Sequence, residues 1–330
     1  MVYYVVRDVG LERKLQIKKE NVKSDRKRFT EELCEIILAT LGEEYQTELT
    51  VVRKNNGVMK EVLYIRKKDS ECMPCFYTDE LYLSYCNGEN EVGLADHMVN
   101  IVLNECETVR REVQKYLTKD WIAEHLFLRL VQIEKNREWL EEAVYVSYLD
   151  LAAVVYVLTE DSENGVKSFL LPKSTWDILQ VGTPEDYFPR LVENTARLFP
   201  DKLWGIETTT EEGDVGCYGI FRLAEESKKV LRKECLYVLS NQRKINGAAV
   251  VLYPKLLDEL YEGFSGNYFV IPSSVHEVLL IKETEEGEEA FLNRMVKEVN
   301  ESQVEPEEVL SDHVYYYSAE HGLCLCREES

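Results

Sequence analysis

The chain has 330 residues, 45% of them hydrophobic and 30% charged, and a formal net charge of −22. Its 20 Tyr, 10 Phe and 4 Trp supply enough apolar area to offset the entropy of folding, which excludes a chain that is disordered throughout. The acidity disfavours nucleic acid as a partner, because like charges repel. The length predicts about two domains.

The sequence gives no sign of export or of membrane insertion. The apolar run Val2–Val6 is cut off by Arg7 and Asp8, and no small-residue cleavage site follows. The longest apolar run, Leu151–Leu158, has eight residues, whereas a bilayer requires about 20. We therefore expect a cytoplasmic protein without a membrane partner.

The first part of the chain predicts a basic segment, 1–25, followed by a small domain, 26–116. Residues 1–70 carry 15 Lys and Arg against 12 Asp and Glu. In the domain, the spacing of apolar residues predicts a helix from Phe29 to Leu41. A hairpin follows, because Asn56-Gly57 separates two β-prone runs. The rest of the domain is predicted to contain a strand at 75–77 and helices at 79–85 and 92–113.

The second domain, 120–330, is predicted to contain most of the strands. The stretch 144–158 is apolar on both faces and predicts one long central strand. Residues 184–198 form a capped helix that Pro189 is expected to kink or split, and 201–233 indicate a loop, a helix at 223–232 or a linker. Strands and helices mix without regular alternation. This pattern favours an α+β fold of two domains, each a largely antiparallel sheet with helices packed on it.

The cysteines form two pairs with short spacing. Cys72 and Cys75 form a C-x-x-C pair, and Cys324 and Cys326 form a C-x-C pair. Together they offer four soft ligands for zinc, and C-x-x-C is also a redox motif. The pairs lie about 250 residues apart, and Cys75 opens a strand rather than a helix, so we expect no metal and no cofactor.

A hydroxyl, an imidazole and a carboxylate occur together at Ser274, His276 and Glu277. On a strand, Ser274 and His276 share a face with their side chains about 7 Å apart, which is too far for a direct hydrogen bond unless the strand bends. Glu277 points to the opposite face. The alternative to a hydrolase-type site is that the serines satisfy backbone groups in a turn.

A polar loop at 240–247 is the second candidate site. It follows a strand, and loops at strand ends often carry binding groups. Arg243 is suited to hold an anion, Asn241 offers an amide, and Asn246-Gly247 permits positive φ. The alternative is a plain turn.

Several motifs of this chain occur together in one family. They are Tyr237–Asn241, Asn246–Ala249, Leu252–Pro254, Val270–Val278, Val299–Asn300 and Pro306–Asp312, with Arg53–Gly57 and Tyr64–Lys68 upstream. This combination resembles an uncharacterised domain-of-unknown-function family from Gram-positive gut bacteria. That family has no assigned activity, so the resemblance implies no catalytic residues. The basic segment 1–25 and the two cysteine pairs do not resemble features of the family.

Two functions from different classes remain. The first is an interaction or accessory protein without catalysis, whose partner is a protein. The second is a hydrolase-type enzyme that uses Ser274, His276 and the 240–247 loop. The sequence does not decide whether the protein binds a small molecule. Binding of nucleic acid through residues 1–30 is the least favoured hypothesis.

Overall fold

A computed structural model describes residues 9–68, 74–113, 118–162, 165–208, 215–221, 231, 236–285 and 287–326, with the backbone alone at 9–24, 105–113, 206–208 and 215–221. The chain divides into two compact units. The N-terminal unit comprises Met1–Lys54 and Met59–Lys115, and the C-terminal unit comprises Asn55–Val58 and Tyr116–Ser330. No helix among the described residues is long and apolar enough to cross a bilayer.

The N-terminal unit packs three helices on one face of a three-stranded sheet. Its elements are α1 (Val9–Leu41), β1 (Tyr45–Arg53), β2 (Met59–Lys67), β3 (Cys75–Tyr77), α2 (Thr78–Cys86) and α3 (Glu91–Val113). The strands are antiparallel in the order β1-β2-β3. Leu63 and Ile65 of β2 are fully buried against Leu33 of α1 and Met98 of α3, which joins the sheet to its helices.

The C-terminal unit contains two further antiparallel sheets. Its elements are α4 (Lys119–His125), β4 (Leu126–Gln132), α5 (Ile133–Leu140), β5 (Tyr145–Tyr148), β6 (Leu151–Ser162), β7 (Gly165–Leu170), α6 (Lys173–Leu179), α7 (Pro184–Leu198), β8 (Asp201–Thr208), β9 (Val215–Phe221), β10 (Leu236–Asn241), α8 (Leu256–Phe264), β11 (Tyr268–Ser274), β12 (Glu277–Lys282), α9 (Glu289–Ser302), β13 (Tyr315–Ser318) and β14 (Gly322–Leu325). Short 3-10 helices span Asn55–Gly57 and Gly247–Leu252.

The two sheets of the C-terminal unit share one large core. In the smaller sheet, β6 pairs with β4, β5 and β7. The larger sheet has the order β14-β13-β11-β12-β10-β8-β9. Leu128 of the smaller sheet and Leu239 of the larger sheet belong to the same buried cluster, together with the 3-10 helix that contains Val250. The predicted α+β class with antiparallel sheets is therefore confirmed.

Three local predictions are wrong. The helix predicted from Phe29 to Leu41 is confirmed over that range and at its end, but its start is wrong, because the helix begins at Val9 and residues 9–25 of the basic segment are helical. Pro189 lies inside α7, which runs unbroken from Pro184 to Leu198, so the predicted split is wrong and a kink at Pro189 stays a prediction. The stretch 201–221, predicted as a loop or linker, contains the antiparallel strands β8 and β9. Apart from Leu231, the predicted helix 223–232 lies outside the described residues.

The predicted strand 144–158 is instead a hairpin. Its halves, β5 and β6, pair antiparallel with Tyr148 opposite Leu151, so that only Leu149 and Asp150 form the turn. Leu149 has φ 57° and its side chain is 42% exposed. A bulky residue with positive φ is rare, and no Gly or Asn marks this turn in the sequence. The continuous apolar pattern therefore hid the reversal of the chain.

Candidate functional site

The loop after β10 is held in shape by one amide side chain. Asn241 Oδ1 accepts hydrogen bonds from the backbone N–H groups of Arg243 (3.0 Å) and Ile245 (3.4 Å), and Asn241 Nδ2 donates to the carbonyl of Ile245 (2.9 Å). Lys244 and Asn246 both have positive φ, 54° and 51°. An Asn side chain commonly replaces backbone partners in this way. The loop therefore has a defined conformation.

The turn between β11 and β12 consists of Val275 and His276, and Ser274 closes it. The backbone N–H of His276 donates to Ser274 Oγ at 3.1 Å. Ser274 is paired across the turn with Glu277. The Ser274 hydroxyl thus accepts a backbone hydrogen bond within its own turn.

These two segments contact each other directly. The Asn246 N–H donates to His276 Nδ1 at 3.1 Å, and Ser240 Oγ donates to the His276 carbonyl at 2.6 Å. Gly247 lies at the point of closest approach, where a Cβ atom would be 2.0 Å from Ser240 Oγ and 2.5 Å from the His276 carbonyl oxygen. The structure therefore brings the two candidate segments of the sequence together.

Both nitrogens of the His276 ring have a partner. Because Nδ1 accepts the Asn246 N–H, the proton of the neutral ring belongs on Nε2. Nε2 lies 3.5 Å from Glu308 Oε1. Glu308 also accepts a hydrogen bond from the Val275 N–H through its carbonyl, at 2.8 Å. Sequence reasoning did not identify Glu308 as a member of this cluster, because only the fold places it beside His276.

The basic side chains of the loop have partners too. Arg243 forms an ion pair with Asp161 at 2.7 Å and donates to the carbonyl of Ser162. The Lys244 ammonium lies 4.7 Å from the centre of the Trp204 ring, on the same ring that Lys202 approaches at 5.1 Å. Arg243, which we predicted to hold an anion, is therefore neutralised by a carboxylate of the same chain.

The connector between α9 and β13 continues this polar network. Asn56 Nδ2 donates to the carbonyls of Pro306 (2.8 Å) and Val309 (2.7 Å). Further along the connector, Asp312 accepts hydrogen bonds from Lys135 and Asn300, both at 2.9 Å. Burial alone would raise the pKa of Asp312, but these two donors outweigh it and hold that pKa below its ordinary value.

A cavity of about 590 Å³ lies beside the connector. It is lined by residues of both charges and by amides, including Asn56, Lys135, Lys297, Asn300, Glu301 and Asp312. Its volume falls in the range of small-molecule sites, about 300–1,000 Å³. No motif of the sequence pointed to this cavity.

Three of the four candidate cysteines lie among the described residues. Cys72 lies outside the described residues, and Cys75 is exposed on β3. Burial raises the pKa of the Cys324 thiol, and burial next to Cys324 raises the pKa of Cys326 to about 12. In the described part of the chain, no group of three or more His, Cys, Asp or Glu side chains has the arrangement of a metal site.

A family model described as a family of unknown function, DUF5688, matches residues 26–319. This span covers most of the chain, so the chain belongs to that family, and the predicted membership of a family of unknown function is confirmed. No curated protein and no solved structure matches the chain.

Proposed function

We propose that this member of the DUF5688 family is a non-catalytic interaction protein that binds an acidic partner protein through the β1–β2 hairpin. The observation that carries the proposal is an apolar cluster on that hairpin. Leu49, Val51 and Met59 are 42%, 54% and 56% exposed. Exposed apolar groups that lie together mark interaction sites more often than isolated ones do.

The register of the hairpin places the three side chains on one face. Leu49 lies opposite Leu63, Val51 opposite Glu61, and Arg53 opposite Met59. Directly opposed residues of antiparallel strands share a face. Leu63 is buried on this face beneath the helices. Leu49, Val51 and Met59 lie on the same face, but the helices do not cover them and they are exposed.

The charge of the hairpin indicates what kind of surface it binds. Residues 45–68 contain six Lys and Arg against two Glu, a local charge of +4 in a chain of −22. Complementary charge favours a partner whose apolar contact surface is bordered by Asp and Glu. In addition, β1 is an edge strand of its sheet, and an extended segment of a partner can pair with an exposed edge.

The contacts of the predicted hydrolase site favour binding over catalysis. A hydrolytic serine needs a base within hydrogen-bond reach of its hydroxyl. The Ser274 hydroxyl accepts the His276 N–H, and the His276 ring is bonded to Asn246 and faces Glu308. This arrangement joins two loops and provides no pair of nucleophile and base. The proposal includes a cytoplasmic location, which suits the free thiols of Cys34, Cys75 and Cys86.

The test is affinity capture of the tagged full chain from its native cells after nuclease treatment, quantified by mass spectrometry. We expect a near-stoichiometric protein partner that survives nuclease. The variant Leu49→Ser/Val51→Ser should reduce its recovery at least tenfold. The matched control Ile178→Ser/Phe291→Ser replaces residues that are 60% and 61% exposed in the C-terminal unit, and it should retain the partner.

The purified pair then tests the charge argument. Its dissociation constant should rise several-fold between about 50 and 300 mM NaCl, because exposed ion pairs are screened by salt. Equal recovery with both double variants would refute the hairpin as the binding surface. Turnover of ester or phosphoester substrates that is lost in His276→Ala would instead establish the hydrolase.

A further inference from the structure

The outer face of the smaller sheet in the C-terminal unit contains a half-buried arginine. Arg129 is on β4, where it alternates with Leu128 and Leu130 of the main core and therefore points to the other face. Its neighbours on that face are Phe127 and Val131 on β4 and Val154 on β6. A cation thus lies among mainly apolar neighbours on this sheet face.

The contacts of Arg129 are aromatic rings and hydroxyl groups. Its guanidinium lies 4.1 Å from the centre of the Tyr156 ring and 5.3 Å from that of Phe127, and it donates to Ser168 Oγ. Arg129 Nε is enclosed and has no hydrogen-bond partner among the described residues. Burial lowers the pKa of Arg129, and only its contact with Tyr156 opposes that effect.

No carboxylate in the described part of the chain neutralises this guanidinium. The acidic residues that lie further along β6 are engaged elsewhere, since Glu160 pairs with Lys167 at 2.9 Å and Asp161 pairs with Arg243. A guanidinium stays charged in proteins, and a buried charge without a counter-charge is unfavourable. The chain has 61 Asp and Glu, yet none of the described ones lies beside Arg129.

The packing around Arg129 leaves the residue partly exposed. Leu140 of α5 packs over the Val131 end of the face, and Phe199 packs over the Phe127 end. Between these two covers, the side chains of Arg129, Tyr156 and Ser168 are partly exposed. The guanidinium, the Ser168 hydroxyl and the rings of Tyr156 and Phe127 therefore meet at one partly exposed place on this sheet face.

We propose that Arg129, Tyr156 and Ser168 form a binding site for the oxyanion of a small molecule, either a phosphoryl or a carboxylate group. The planar guanidinium donates two parallel hydrogen bonds to such a group, and the hydroxyls of Ser168 and Tyr156 donate to its remaining oxygens. The anion supplies the counter-charge that the sheet face lacks. This site lies in the C-terminal unit and is independent of the β1–β2 hairpin.

The experiment measures the melting temperature of the full chain in sodium phosphate and in sodium citrate, each against sodium chloride at equal ionic strength. The anion that binds should raise the melting temperature by about 2–4 °C at a concentration well above its dissociation constant. A shift with phosphate alone assigns a phosphoryl group, and a shift with citrate alone assigns a carboxylate. The wild-type chain showing no shift with either anion would overturn the proposal.

The variants separate binding at this site from a general effect of anions. Arg129→Met keeps the length and apolar contacts of the side chain, and it should abolish the shift. Arg129→Lys keeps the charge but cannot donate two parallel bonds, and it should retain less than half of the shift. Ser168→Ala, which tests the site if Arg129→Met fails to fold, should also reduce it. Equal shifts in the wild-type chain and in these variants would show that the anion acts elsewhere.

Discussion

The contact between the 240–247 loop and the β11–β12 turn predicts that Gly247→Ala is strongly destabilising. The added Cβ would lie 2.0 Å from Ser240 Oγ, 2.5 Å from the His276 carbonyl oxygen and 2.8 Å from the Asn241 nitrogen. Real Cβ atoms essentially never approach other heavy atoms below 3.0 Å. Two of these three atoms belong to the backbone, so rotation of a side chain cannot relieve the overlap.

The expected magnitude combines two costs. Displacing the hydroxyl of Ser240 breaks its 2.6 Å bond to the His276 carbonyl, which costs about 1–3 kcal/mol when the acceptor stays buried. Forcing the backbone of a packed region apart costs about 1–3 kcal/mol more. We therefore expect Gly247→Ala to lower the free energy of unfolding by about 2–6 kcal/mol.

Urea unfolding of the full chain measures this change. Gly93→Ala is the matched control, because the nearest atom to its added Cβ is Asn90 Oδ1 at 3.4 Å. It should be neutral or stabilising by up to about 1 kcal/mol, since alanine favours a helix. The double variant Ser240→Ala/Gly247→Ala should recover little stability, because the backbone overlaps remain. An unfolding free energy of Gly247→Ala within about 0.5 kcal/mol of wild type would refute the reasoning.

Three other predictions follow from single positions. Leu149→Asn should stabilise the chain by about 0.5–1 kcal/mol in thermal unfolding, because Asn tolerates a positive φ better than Leu does. A loss of stability would contradict the argument that Leu149 is strained in this turn. Asp312 has a lowered pKa in the folded state, so the stability it contributes is present above the unfolded pKa of about 4 and is lost as the pH falls through the folded value. Asp312→Asn should therefore destabilise at pH 7, and this deficit in urea unfolding should shrink as the pH is lowered below about 4. A deficit that does not change with pH would refute the role of the charge. Cys326, whose pKa is raised to about 12, should resist a thiol reagent at pH 8 until the chain unfolds, while exposed Cys75 reacts at once.

The sequence predicted elements well where local signals are strong. Asn56-Gly57 marks the β1–β2 turn, which the structure places at Asn55–Gly57, and Thr183 with Pro184 marks the start of α7. The β5–β6 turn was not predicted, because Leu149 takes a positive φ that a leucine side chain does not favour. The strands β8 and β9 were not predicted, because the polar sequence that connects them obscures the alternation of apolar and polar residues within each strand.

The candidate site was predictable in its parts but not in its assembly. Asn241, Asn246 and His276 were identified from residue type and position, and the structure joins them through the Asn246–His276 hydrogen bond. Glu308 lies 32 residues beyond His276 in the sequence, and nothing local links the two. Arg129 was not identified either, because an arginine within an apolar run is conspicuous only when its lack of a carboxylate partner can be seen.

The most direct test of the account compares the affinity of the captured partner for the wild-type chain and for Leu49→Ser/Val51→Ser, measured by isothermal titration calorimetry with purified proteins. The account predicts that the double variant binds at least tenfold more weakly while its melting temperature stays close to that of wild type, because both side chains are exposed. An unchanged dissociation constant would show that the β1–β2 hairpin does not bind the partner and would contradict the proposed function.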